Sequence, residues 1–158
     1  MLLATIMLFA FTFIPDKANF SGTWALNEGK SELGQRGRFA ARTIKAEQKT
    51  DAINVSKTSP GFNGGEDVTI SETLSFDGKE SETTVFGNSK RKSTLKWTDD
   101  GQIFTINATT LFERDGQTSE FKSNETWSLI DGGKGLSIVT VSSSSRGEST
   151  SKAIYDKQ

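Results

Sequence analysis

Glu72, Arg91, Ser93, Ser123 and Glu125 stand out in this chain because each falls on the otherwise apolar face of a segment that alternates in polarity. One such face reads Val68, Ile70, Glu72, Leu74 and Phe76, and another Arg91, Ser93, Leu95 and Trp97. A third reads Phe104, Ile106, Ala108, Thr110 and Phe112, and a fourth Phe121, Ser123, Glu125, Trp127 and Leu129. A charge sealed into an apolar core costs several kcal/mol (about that order) unless it is paired or wet. Two readings follow: a structural Glu–Arg pair, or an interior that holds water or the polar group of a ligand. A one-residue bulge would instead turn these side chains outward. Glu72 and Glu125 are also two carboxylates of the kind that act as acid and base in a hydrolase. Their strands are not neighbours in the order derived below, and the chain is read as non-enzymatic, with no catalytic residues assigned.

Composition narrows the chemistry further. The 158 residues suit one domain with a single core. Cys and His are both absent, which removes disulfides, thiol nucleophiles, imidazole bases and the usual zinc ligands. Nineteen basic residues against twenty acidic ones leave a net charge of -1, so no overall field draws the chain to nucleic acid or anionic lipid. The basic run Lys90 to Lys92 alternates sides on a strand and makes no single basic face. The Asp-Gly loops lack the ligand ladder of a calcium site. No metal, cofactor or nucleic-acid partner is therefore expected.

The first fourteen residues, MLLATIMLFAFTFI, are apolar and uncharged. They are too short to span a bilayer and suit the apolar region of an export signal, although no Lys or Arg precedes them. Residues 1–18 are read as this leader and 19–158 as the mature domain, exported to a periplasmic or extracellular space and not stably inserted in a membrane.

Past the leader no long window carries a helical period, and alternating segments are separated by turn chemistry such as DGK, TDDG, ERDG and DGGKG. Ten strands are predicted, over residues 20–27, 43–49, 52–58, 67–76, 81–87, 90–97, 102–112, 117–129, 135–143 and 148–155. Successive hairpins imply an antiparallel up-and-down meander, and closing its edges makes a β-barrel of about eight to ten strands. Because strand direction alternates, Trp24, Trp97, Trp127, Phe76 and Phe104 all fall towards one end, which aromatic side chains should close as a floor. The two longest connections, 28–42 and 59–66, fall at the other end and mark a mouth. The later part of the first has weak helical character suited to a lid. Phe39 and Phe62 are the apolar residues placed at this portal.

The stretch FSGTWAL puts Phe20, Gly22, Trp24 and Leu26 on one face. This F-x-G-x-W pattern opening a meander barrel resembles the lipocalin and fatty-acid-binding protein (calycin) superfamily, and the chain further resembles small exported lipocalin-like proteins of bacteria. The resemblance implies a glycine that bends the first strand, a tryptophan that closes the floor and a small ligand inside the barrel. The C-terminal KAIYDKQ is similar to the last strand of fatty-acid-binding proteins, which implies a ligand contact for Tyr155. Those proteins usually carry an arginine two residues earlier, where this chain has Ala153.

The functional expectation is non-enzymatic binding or transport of a small hydrophobic or amphiphilic molecule, contacted by Glu72, Arg91, Ser93, Phe112, Ser123, Glu125 and Tyr155. Arg91 is the natural partner for an acidic head group. The alternative is an exported structural or protein-interaction barrel whose own side chains fill it.

Overall fold

A computed structural model describes residues 16–34, 37, 40–61, 64–87, 89–114, 116–145 and 147–158. The ten predicted strands are all present: β1 (Gly22–Leu26), β2 (Thr43–Gln48), β3 (Ala52–Ser59), β4 (Val68–Ser75), β5 (Ser81–Thr84), β6 (Lys90–Trp97), β7 (Ile103–Arg114), β8 (Gln117–Ile130), β9 (Gly135–Ser144) and β10 (Gly147–Lys157). They form one antiparallel sheet in the order β4-β3-β2-β1-β10-β9-β8-β7-β6-β5. Every ladder but one joins strands consecutive in sequence, as hairpin turn chemistry requires. The exception, β1 against β10, curls the meander into a nearly closed barrel, with Trp24 opposite Lys157 and Leu26 opposite Tyr155.

Alternation in the sequence becomes alternation in burial. Phe104, Ile106, Ala108 and Thr110 of β7 are buried, as are Ser123, Glu125 and Trp127 of β8, while their neighbours are half-buried or exposed. Half-buried Phe112 and Phe121 continue the same faces upward, as Val68 and Ile70 do on β4.

The aromatic floor forms around Phe20. Its ring centroid lies 4.6 Å from that of Phe104, 5.9 Å from Trp97 and 6.5 Å from Trp127. Phe76 packs on Trp97 at 5.4 Å, and Phe104 stacks on Trp127 at 5.2 Å. Trp24, fully buried in the same core, joins through its indole Nε1–H, which donates to the Phe20 carbonyl at 3.1 Å. Residues 16–20 run beneath this floor. The Ala18 N–H donates to the Gly101 carbonyl at 2.8 Å, and Gln48 holds the segment from both sides of its amide, accepting from Phe20 N–H and donating to the Ala18 carbonyl. Residues 1–15 of the predicted leader lie outside the described residues.

Two features depart from the sequence-based expectation. The loop after β1 opens with a 3-10 turn, Glu28–Lys30, and its first part lies along the outside of β10: Ser31 Oγ accepts from the Ile154 N–H at 2.9 Å, and Glu32 bridges to Lys152. Ile154 is thereby buried on the outer face. Of the later part foreseen as a lid, residues 35, 36, 38 and 39 lie outside the described residues. Second, β4 and β5 are the two ends of the sheet, and no ladder joins them among the described residues. The turn between them satisfies itself locally, with Asp77 Oδ1 accepting from Ser75 Oγ at 2.6 Å and from the Lys79 N–H at 3.0 Å.

Gly22 adopts φ of 151°, a backbone region that L side chains rarely enter, and an added Cβ would sit 2.9 Å from Lys157 Cε. The Lys157 tip can move; the dihedral cannot relax without disturbing the pairing of Gly22 with Ala46 on β2. Gly22→Ala should therefore destabilise the domain by about 1–3 kcal/mol, a fall in Tm of roughly 3–10 °C in a thermal melt.

Candidate functional site

The pairing register stacks the inward residues of β5 to β10 in layers. Near the floor lie Trp97, Phe104, Trp127, Ile138 and Ala153, with Leu129, Leu136 and Tyr155 one layer further down on β8 to β10. Above Trp97 and its layer lie Leu95, Ile106, Glu125, Thr140 and Ser151. The next layer up is a belt of small side chains, Ser81, Ser93, Ala108, Ser123, Ser142 and Ser149. Over the belt come Thr83, Arg91, Thr110, Phe121 and Ser144. Apolar bulk thus fills the bottom of the barrel, while hydroxyls and charges occupy the middle.

The charges form one network. Lys57 Nζ donates to both carboxylate oxygens of Glu125, at 2.6 and 2.7 Å. Arg91 lies between the two carboxylates, with Nε 3.6 Å from Glu72 Oε2 and Nη2 3.6 Å from Glu125 Oε1. Ser93 Oγ donates to Glu72 Oε2 at 2.9 Å, and Trp127 Nε1 donates to Glu125 Oε2 at 2.9 Å. The Lys57 ammonium also lies 5.3 Å from the centroid of the Trp127 ring. The Glu–Arg pair anticipated from alternation is therefore present, extended by a lysine.

Lys57 was absent from the predicted set, although it shares a face with Ile53 and Val55, both buried. In the strand order β3 and β8 are five places apart, so the Lys57–Glu125 pair crosses the lumen. Glu72 on β4 is tied to Arg91 and Ser93 on β6, so these contacts stitch the seam where the sheet lacks a ladder. A cleft of about 530 Å³ opens at that seam and reaches Glu72 from outside, past Val55, Ser81 and Thr83.

Burial alone would push the Glu125 carboxyl up. The facing charges of Lys57 and Arg91, with hydrogen bonds from Lys57 and Trp127, overcome that and hold it below the ordinary carboxylate range. Tyr155 is also buried, lower in the barrel and in register with Leu26 and Leu136. Burial pushes its phenol up, and the negative charge of Glu125 adds to the effect, so the hydroxyl stays protonated.

Three donor groups in this region lack acceptors: the Ser81 and Ser123 hydroxyls of the belt and the Arg91 side chain. The Ser123 hydroxyl is buried with no hydrogen-bond partner, and the residue is 8% exposed. Arg91 is held by charge at 3.6 Å but makes no hydrogen bond among the described residues, and its side chain is 13% exposed. Of the predicted contacts, Glu72, Arg91, Ser93, Ser123 and Glu125 come together at mid-height, Phe112 lies above them and Tyr155 below. The portal residues Phe39 and Phe62 lie outside the described residues. Among the described residues no cluster of acidic side chains is placed to hold a metal ion, and no helix is long and apolar enough to cross a membrane.

The nearly closed, ten-stranded antiparallel barrel is compatible with a calycin-like fold. Comparisons with protein-family models, curated proteins and solved structures find no match to this chain.

Removing one member of a buried ion pair strands the other. Glu125→Gln should cost about 3 kcal/mol in urea unfolding at neutral pH, whereas Lys57→Met combined with Glu125→Gln should cost clearly less than the sum of the single changes. Glu125 has a folded-state pKa below its ordinary 4.5, so its contribution is complete above that value and is lost as pH falls through the folded value. The wild-type advantage over Glu125→Gln should accordingly shrink as unfolding is followed from neutral pH down to about pH 2.

Proposed function

We propose that the protein is a non-enzymatic binder or carrier of a small hydrophobic or amphiphilic molecule, exported on its apolar leader and holding that molecule in the upper lumen. The observation that carries this reading is the buried, unpartnered Ser123 hydroxyl, set in a belt of small side chains, mostly serines, one layer below that of Arg91. Buried donors without acceptors are rare in folded proteins, and a ligand or water that accepts from them removes the penalty. Small side chains at one level leave lateral room, and the inward, half-buried Val68, Ile70, Phe112 and Phe121 offer apolar contact above. An amphiphile matches that order: apolar body against the upper wall, polar group at the belt.

A second reading is supported by a specific contact. The Lys57–Glu125 pair crosses the lumen, and a barrel braced by its own side chains can serve as an exported structural or protein-interaction module without a small ligand. Trp127 donates to Glu125 and reports on this region, which makes its fluorescence a probe of occupancy. Native mass spectrometry of the purified domain should reveal a co-purified small molecule, and titration with lipids and retinoids should quench tryptophan emission to saturation. No bound mass together with no saturable quenching would sink the carrier reading in favour of the braced barrel.

A further inference from the structure

Resting on the lumen-binding reading above, we infer that the ligand's polar part is an uncharged hydrogen-bond acceptor, such as an alcohol, ester or amide, and not a free acid or amine. The charge count inside the barrel leads there. Lys57 and Arg91 face Glu72 and Glu125, two positive groups against two negative ones, with no net charge left over. Lys57 is committed to both oxygens of Glu125. Glu72 and Glu125 are 5% and 11% exposed at their side chains, so water screens the network poorly.

Adding a ligand carboxylate would make three negative groups for two cations, and the newcomer would compete with Glu72 and Glu125 for Arg91. A ligand ammonium would compete with Lys57 and Arg91 for the two carboxylates. Either leaves a buried charge uncompensated, which is the unfavourable case for ions in a low-dielectric interior. A neutral acceptor changes no charge. It takes what is on offer: guanidinium N–H groups of Arg91 that make no hydrogen bond among the described residues, and the Ser123 hydroxyl. An alcohol can also donate in return to a carboxylate lone pair of Glu72 or Glu125.

This selection runs against the expectation that Arg91 waits for an acidic head group. It is set by the whole network, and changing the network's charge should change the preference. Glu72→Gln keeps a side-chain oxygen for Ser93 while leaving the lumen with one excess positive charge, which should favour an acid.

Isothermal titration of the wild-type domain with oleyl alcohol, monoolein, oleate and oleylamine, and with retinol against retinoate, tests this directly. The neutral members should bind about tenfold or more tightly than their charged counterparts. Glu72→Gln should narrow or reverse the gap for oleate and retinoate while leaving oleylamine weak. Acid or amine binding as tight as the neutral analogue in the wild type would overturn the inference and leave the carrier reading standing. Saturable binding by none of the six would remove both. Should Glu72→Gln not fold, the wild-type comparison decides alone.

Discussion

A lysine on one wall of the barrel grips a glutamate on the opposite wall, and this ion pair across the lumen is the constraint that the remaining architecture accommodates. Charges at such depth survive only when neutralised and hydrogen-bonded. Arg91 and Glu72 extend the pair into a neutral set, while Trp127 and Ser93 supply hydrogen bonds to its carboxylates. Below this level the barrel is free to be apolar, and the rings of Phe20, Trp97, Phe104 and Trp127 fill it in edge-on, tilted and stacked contacts. Above it the chain turns to serine and threonine.

The same contacts compensate for an incomplete sheet. A barrel without a ladder between β4 and β5 needs another means of holding those strands together, and Glu72 reaches past β5 to Arg91 and Ser93 on β6. The network is thus both a brace across the lumen and a stitch along the seam. A functional reading must respect both, because a ligand that dissolved these contacts would loosen the wall that encloses it.

Much of this was legible in the sequence, and the limits have physical causes. Alternation and Gly-rich turns placed all ten strands to within a few residues, and strand direction alone brought Trp97, Trp127, Phe76 and Phe104 to one floor. Alternation also turned Glu72, Arg91, Ser93, Ser123 and Glu125 inward. It did not reveal Lys57, since a lysine near a strand end normally extends its amine to water, and its actual partner is set by the curvature of the whole sheet. Nor does the DGK turn announce the seam: the motif that closes an ordinary hairpin here joins two strands that share no ladder. The serine belt is invisible within any single strand and emerges only when six strands are aligned by register. Phe20 stands at the centre of the floor's ring contacts, with residues 16–20 folded beneath it, an arrangement that periodicity does not encode.

The seam has a further meaning for how copies of this protein behave towards one another. Two strand edges face each other there without exchanging backbone hydrogen bonds among the described residues, and an unpaired edge is a template on which a foreign strand can grow. Here the risk is contained by a very short β5, only four residues, by the charged Glu82 upon it, and by side chains that draw the two edges together from within. The interior charges thereby act outside the lumen as well: by drawing the barrel's own edges towards each other, they leave less of either edge open to a foreign strand.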